Sequence, residues 1–105
     1  NAGAAIWLSV QASGPDKTGE ALRQLRSHPW LAGLPLNAVQ GMGIWISAAP
    51  QELKMREVAE IVKDVQQYTS TDASIVLATH YHSSLDNTLR LSVLLTGPLY
   101  GTGKG

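Results

Sequence analysis

Alternation of apolar and polar residues predicts four β-strands along the chain. The predicted strands are Ala4–Ala12, Gly41–Ala48, Ser74–Tyr81 and Thr88–Thr96. The third is a nearly continuous apolar run, which favours burial on both faces of that strand. Only the turn Ser83–Asn87 separates it from the fourth strand, so we expect the last two strands to pair as an antiparallel hairpin.

Apolar residues at helical spacing predict two α-helices between these strands. The first spans about Asp16–Ser27 and stops before Pro29, because the residue before a proline is pushed out of helical geometry. The second spans Pro50–Tyr68 and carries the strongest apolar stripe, which consists of Leu53, Val58, Ile61, Val62 and Val65. A polar turn at Ser70–Asp72 is expected after it.

The order of elements, β-α-β-α-β-β, indicates an α+β fold whose crossovers are long enough for β-α-β units. We therefore expect a two-layer α/β sandwich, in which a four-stranded mixed sheet packs both helices on one face. The chain is predicted to form a single domain, 1–105, with its core at about 4–97 and a tail at 98–105.

This packing leaves the second face of the sheet without a helix. Trp7 and Trp45 fall off the main apolar stripes of their strands and are expected on that face. An open sheet face that carries tryptophans favours a docking surface. The alternative is that the apolar connecting segment Trp30–Leu36 folds over the two rings, and the sequence does not decide between these interpretations.

Composition and charge exclude several classes of protein. Eight basic side chains balance eight acidic ones, so the basic excess typical of nucleic-acid-binding proteins is missing. The chain has no cysteine, which excludes disulfides, thiol nucleophiles and cysteine-based metal sites. No apolar run reaches the roughly 18 residues of a membrane span. We expect a cytoplasmic protein with no membrane span and no nucleic-acid partner.

His80 and His82 are the strongest candidates for binding a metal. They lie two residues apart on a predicted strand, so their imidazoles share a face and can ligate one cation. A stable zinc site usually needs a third or fourth protein ligand, and here Asp86 is nearby but His28 is remote. Two histidines at the end of a strand are the commoner interpretation, so no metal site is predicted.

Two further patterns resemble catalytic or phosphate-binding motifs but lack the context that each requires. Ser83 and Ser84 lie close to histidines and to Asp86, but the G-x-S-x-G elbow of serine hydrolases is missing. The carboxylates of Asp72 and Asp86 are equally unspecific as a general acid and base. The run G-T-G-K-G at 101–105 is not placed between a strand and a helix, as a phosphate loop is. No catalytic or cofactor-binding residue is predicted.

Several short motifs carry information through their order and nearly gapless spacing. They are Ala12-Ser13-Gly14 with Asp16, Ser27 with Pro29 and Leu31, Leu36 with Gly41, Trp45-Ile46-Ser47, Glu52-Leu53 with Met55, Glu57 and Val58, and Leu89–Gly97. Together they resemble the C-terminal domain of FtsZ, the tubulin-like bacterial cell-division GTPase family, over residues 1–97. The last strand, L-R-L-S-V-L-L-T-G, is very similar to the family pattern L-R-V-T-V-[IV]-A-T-G.

Some positions depart from the family pattern and indicate a divergent member. Leu8 and Val10 stand where the family has glycines in its first strand, in a region close to the central helix that joins its two domains. In the last turn, His82-Ser83 replaces an acidic residue followed by proline.

The resemblance implies a protein-interaction and assembly domain of an FtsZ-like cell-division protein. In the family, GTP is bound by a glycine-rich loop of the N-terminal domain, and a catalytic acidic loop precedes the C-terminal domain. Neither loop is present in this sequence. We therefore expect no enzymatic activity and no cofactor in this chain, with GTP bound only by an N-terminal domain.

The family's contact between filament subunits implies an interface at the start of the second helix. It maps to Glu52, Lys54, Met55, Arg56 and Glu57, although a charged helix start is also typical of a solvated face. The expected partners are proteins, either a copy of this chain or an FtsZ-like N-terminal domain. The alternative function is a small stand-alone ligand- or metal-binding module that uses the open sheet face and His80/His82.

Overall fold

The computed structural model describes residues 4–29 and 39–97. Its strands are β1 (Ala4–Ser13), β2 (Val39–Ala48), β3 (Thr69–Tyr81) and β4 (Thr88–Gly97). The α-helices of these residues are α1 (Lys17–Arg26) and α2 (Met55–Val65), and a 3-10 turn at Gln66–Tyr68 extends α2. The predicted order β-α-β-α-β-β and the predicted four-stranded mixed sheet are confirmed.

One hydrophobic core lies between the sheet and the two helices. From three strands it takes alternate residues, namely Leu8, Val10, Ala12, Met42, Ile44, Ile46, Leu89, Leu91, Val93 and Leu95. The helices add Ala21, Leu22, Leu25, Val58, Ile61 and Val65. Because all of these belong to one cluster on one side of the sheet, the predicted two-layer packing is confirmed. The bulky Leu8 and Val10 lie in this core and not on the open face.

The spatial order of the strands is β1-β4-β2-β3, and the predicted hairpin between the last two strands is wrong. β4 lies between β1 and β2 and is antiparallel to both, whereas β3 is parallel to β2. The inward side chains of β4 are almost wholly inaccessible to solvent. A central position buries them under the helices and pairs both sides of the strand.

The connection from β3 to β4 passes the end of β2. The amide of His82 donates to the carbonyl of Ala48 at 3.0 Å, and the amide of Gly14 donates to the carbonyl of Asn87 at 3.1 Å. A 3-10 turn at Ser83–Leu85 lies between these two contacts. The connection has to cross from β3 over β2 to β4, a distance of two strand spacings or roughly 10 Å, which a short connection covers easily. A short turn therefore did not require the two strands to be neighbours.

β3 is an edge strand, and its predicted burial on both faces is also wrong. Val76, Leu77 and Tyr81 are 64%, 42% and 51% exposed. Ile75 is only partly buried against the core. The apolar run does form a strand, but the edge position gives it one neighbouring strand and incomplete cover.

Two predicted boundaries shift in the structure. α2 begins at Met55 and not at Pro50, because Ala49–Glu52 forms a turn in which the amides of Gln51 and Glu52 both donate to the carbonyl of Ala49. The predicted turn at Ser70–Asp72 is wrong, since these residues belong to β3. The pairing of β2 with β3 shifts register there, which accommodates the polar residues in an irregular stretch of strand.

We expect a leucine-to-alanine substitution to cost more free energy of unfolding on the central strand than on the edge strand. Leu91 of β4 is fully buried, so Leu91→Ala should lower the free energy of unfolding by about 2–5 kcal/mol. Leu77→Ala on β3 should cost about 1 kcal/mol or less, because that side chain already contacts solvent. Urea unfolding of the three proteins measures both values. Equal losses at the two positions would contradict the strand order.

Candidate functional site

The five predicted interface residues surround the start of α2 and are called here the α2 N-terminal surface: Glu52, Lys54, Met55, Arg56 and Glu57. They follow the end of β2, at the end of the sheet where α1 also begins. Lys54 is extended, with φ −99° and ψ 155°, and its carbonyl accepts the amides of Glu57 and Val58 at 2.9 and 3.1 Å. The surface therefore sits on the first turn of a regular helix.

The structure separates these five residues into two groups. Lys54, Met55 and Arg56 are exposed, and Met55 is 80% exposed, the highest value among the exposed large hydrophobic side chains of the described residues. Glu52 and Glu57 are half-buried and point toward α1. Methionine and arginine are enriched in protein–protein interfaces, so the exposed group is the part of this surface suited to contact another protein.

Glu57 holds the start of α2 in place. One carboxylate oxygen accepts the amide of Lys54 at 2.8 Å, and the other accepts the hydroxyl of Thr18 at 3.0 Å. The first of these bonds is half of a capping box, and it satisfies an amide that the helix leaves without a partner. Burial favours a raised pKa for the Glu57 carboxyl, but these two hydrogen bonds and the charge of Lys17 bring its pKa below the ordinary value.

A second contact joins the same end of the two helices. The ammonium of Lys17 lies 3.4 Å from Glu52 Oε1, and the Lys17 side chain is only 8% exposed. Lys17 and Thr18 therefore fasten the start of α1 to the α2 N-terminal surface. Sequence reasoning missed both residues. The available signal was a lysine in the first turn of a helix, where the helix dipole disfavours a positive charge unless a carboxylate compensates it.

A shallow pocket of about 310 Å³ adjoins this surface. Its lining consists of Ala49, Pro50, Gln51, Glu52, Ser83 and Asp86. Asp86 has φ 53°, a left-handed conformation that is uncommon outside glycine and compatible with the short connection that crosses the end of β2. The lining brings Asp86 near Glu52 but offers no paired acid and base.

The two histidines considered for metal binding lie at the end of β3. Their ring centroids are 6.5 Å apart, the two ring planes are nearly parallel with an interplanar angle of 7°, and both residues are exposed. Within residues 4–29 and 39–97, no group of three or more His, Cys, Asp or Glu side chains could hold a metal ion. Asp72 lies on the exposed start of β3, and His28 follows α1 and lines a second shallow depression beside β1.

Trp7 and Trp45 meet on the sheet face that carries no helix among the described residues. Their ring centroids are 5.3 Å apart and tilted by 46°. The Trp45 indole lies over Gly43, where an added Cβ atom would clash with the ring. Trp7 remains 57% exposed. The segment Trp30–Leu36, which was the alternative cover for these rings, lies outside the described residues, as does the run at 101–105.

No helix in the described part of the chain is long and apolar enough to cross a membrane.

Residues 3–98 match the sequence profile of the FtsZ family, C-terminal domain. The chain is 31% identical to the cell division protein FtsZ of Neisseria gonorrhoeae over 98 residues, which covers 92% of this chain and 25% of that protein. Against FtsZ of Pseudomonas aeruginosa the identity is 27% over 95 residues, with 90% and 24% covered. The chain thus spans about a quarter of the length of these curated relatives.

Solved structures share the same fold. An empty FtsZ dimer from M. jannaschii superposes with a TM-score of 0.74 at 22% identity, covering 89% of this chain and 26% of that one. CetZ from Methanosaeta thermophila superposes with a TM-score of 0.52 at 13% identity, covering 90% and 27%. These two likenesses extend the agreement from sequence to strand and helix arrangement.

We expect Glu57→Gln to lower the free energy of unfolding at neutral pH by about 1 kcal/mol, because two hydrogen bonds to a carboxylate become weaker. The folded-state pKa of Glu57 lies below the ordinary 4.5, so its contribution is fully present above that pH. The contribution is lost as the pH falls through the lower folded-state pKa. Urea unfolding over a range of pH should show the two proteins converging in acid.

Glu60→Gln is the matched control, since Glu60 is exposed on the next turn of α2. It should change the free energy of unfolding by less than about 0.5 kcal/mol at any of these pH values. A Glu57→Gln protein as stable as the Glu60→Gln protein at neutral pH would contradict the role assigned to Glu57.

Proposed function

The chain belongs to the FtsZ family as a C-terminal domain, and on that premise we propose that it is a protein-interaction and assembly domain of an FtsZ-like cell-division protein. The curated relatives are named cell division proteins, and most of their length lies outside the matched region. We assign GTP binding and hydrolysis to that other part, so that this domain alone is neither an enzyme nor a cofactor-binding protein. Its partners are a second subunit or an FtsZ-like N-terminal domain.

The exposure of Met55 carries this proposal. A side chain that is 80% exposed at the first turn of α2, between Lys54 and Arg56, offers an apolar contact flanked by two positive charges. Such a surface suits a partner that presents an apolar depression with acidic residues around it.

The rest of the α2 N-terminal surface supports the proposal through rigidity. Glu57 caps the helix and binds Thr18, and Glu52 pairs with Lys17, so the turn that presents Met55 is anchored to α1. A preorganised surface loses less conformational entropy when it binds. In this arrangement Glu52 and Glu57 position the contact, and Lys54, Met55 and Arg56 make it.

Met55→Ala and Arg56→Glu should each weaken assembly of the full-length protein that carries this domain. Loss of one central contact typically costs about 1–2 kcal/mol, so the critical concentration should rise roughly fivefold to thirtyfold. GTP-dependent sedimentation of polymers measures this concentration. Both side chains are exposed, so the free energy of unfolding should change little.

Lys63→Glu is the matched control for this experiment. Lys63 is an exposed cation on the last turn of α2, far from the proposed contact. Its substitution should leave the critical concentration unchanged. If the Met55 and Arg56 variants assemble like the Lys63 variant, the proposed interface is wrong.

The isolated 105-residue chain should show no change in melting temperature with GTP. A ligand at 100 times its Kd adds about 2.7 kcal/mol to the stability of the folded state. For a domain of this size that corresponds to a shift of roughly 10 °C or more. A thermal-shift series with GTP, zinc and small carboxylic acids therefore gives a clear readout.

Either of two results in this series would change the assignment. A shift with GTP would contradict the absence of a nucleotide site in this domain. A shift with zinc that disappears in His80→Asn would support the alternative, a metal-binding module that uses His80/His82.

A further inference from the structure

The chain holds its two methionine sulfurs in opposite environments and contains no cysteine. Met42 lies on the inward face of β2 and is 3% exposed, whereas Met55, the first residue of α2, is 80% exposed. A thioether is oxidised readily only where the oxidant reaches the sulfur. In the folded chain the sulfur of Met55 is therefore open to attack, and that of Met42 is protected.

Met55 plays no part in holding the described fold together. Its side chain does not belong to the hydrophobic core of the described residues and does not pack against it. The start of α2 is held by backbone groups and by the carboxylate of Glu57, which accepts the amide of Lys54 and the hydroxyl of Thr18. None of these bonds uses the thioether. A chemical change at the sulfur should therefore leave the fold intact and alter only the surface that α2 presents.

We propose that Met55 is a site of reversible oxidation by a hydroperoxide, and that its sulfoxide weakens the contact made by the α2 N-terminal surface. Selective oxidation of Met55 follows from the exposure of the two methionines. The effect on assembly rests on the proposed function, in which Met55 supplies the apolar part of that contact.

The oxidation needs no group of the protein other than the sulfur. A lone pair of Met55 Sδ attacks the terminal oxygen of the hydroperoxide, and the O–O bond breaks as the S–O bond forms. The departing oxygen takes the proton of the transferred oxygen and leaves as water or an alcohol. The sulfur is oxidised by two electrons, which reduce the peroxide. In the reverse step a reductase dithiol supplies two electrons and becomes a disulfide, and the oxygen leaves as water.

The sulfoxide replaces an apolar contact by a polar group. Its oxygen is a hydrogen-bond acceptor, and an apolar depression on a partner offers no donor, so binding would remove water from the oxygen without compensation. Lys54 and Arg56 keep their charges, so only the apolar part of the contact is lost. Oxidation should act on free subunits, because assembly buries the sulfur of Met55 against the partner.

Treatment of the 105-residue chain with hydrogen peroxide tests the selectivity. Cleavage after glutamate places Met42 on the peptide 21–52 and Met55 on the peptide 53–57, so mass spectrometry follows each sulfur separately. In the folded chain Met55 should be oxidised at least roughly tenfold faster than Met42, because Met42 reacts only when the core opens. In concentrated urea the two rates should be similar.

Urea unfolding shows whether the modification leaves the fold intact. The chain oxidised at Met55 alone should unfold at the same urea concentration as the untreated chain, since the thioether makes no core contact. A large loss of stability on oxidation of Met55 would contradict the proposal, because weaker assembly would then report unfolding.

Polymer sedimentation tests the effect on assembly in the full-length protein that carries this domain. Mild peroxide treatment should raise the critical concentration roughly tenfold, as loss of one central contact does. Treatment with methionine sulfoxide reductases for both sulfoxide epimers, together with a dithiol, should restore the original value.

Two matched variants assign the effect to one sulfur. In Met55→Leu the critical concentration should be the same before and after peroxide, whatever its starting value, because residue 55 then has no sulfur. Met42→Leu conserves side-chain volume, and this variant should remain as sensitive to peroxide as the unsubstituted protein. Both variants keep every oxidisable side chain of the rest of the full-length protein, so they exclude an effect that arises there.

The outcomes separate this proposal from the proposed function. Equal oxidation rates of the two methionines in the folded chain would overturn the proposal and leave the function untouched. So would a critical concentration that rises in Met55→Ala but not after peroxide. Peroxide sensitivity that persists in Met55→Leu would also overturn it. Sensitivity that is lost in Met55→Leu, kept in Met42→Leu and reversed by the reductases would support it.

Discussion

Burial of the inward face of β4 is the constraint on which the arrangement of the whole sheet depends. Leu89, Leu91 and Leu95 are fully inaccessible, and Val93 is 1% exposed. Burying each such side chain contributes about 1.5–3 kcal/mol, so this strand gains most from a central place beneath the helices. β1 and β2 then lie on either side of it, and β3 is left at the edge with Val76 and Leu77 in solvent.

The two helices that cover this core are joined to each other by polar side-chain contacts. At their starts Thr18 binds Glu57 and Lys17 pairs with Glu52, and at their ends Arg26 lies 2.9 Å from Asp64. Contacts at both ends hold α1 and α2 side by side in the same direction. They also fix the turn that presents Met55, so a stabilising network and a candidate interaction surface share the same few residues.

The pattern of the sequence was sufficient for element type and layer architecture. The four strands and the two helices follow from the local spacing of apolar residues, and the two-layer packing follows from the order of these elements. The mixed sheet was predicted correctly, but partly from a hairpin between β3 and β4 that does not form. The ends of helices and strands were less predictable. The turn at Ala49–Glu52, which delays the start of α2, depends on one backbone carbonyl accepting two amides. The hairpin prediction failed since a connection of this length fits both a neighbouring strand and one strand further away.

For the candidate site, the family pattern predicted an interface at the start of α2, but could not divide its five residues by role. Glu52 and Glu57 face α1 because Lys17 and Thr18, far earlier in the chain, supply an ammonium and a hydroxyl there. The sequence by itself determined which segments form strands and helices and which faces are apolar. Only the tertiary structure decided strand order, the exposed edge of β3 and the exposure of Met55, because these depend on competition between distant segments for the same buried space.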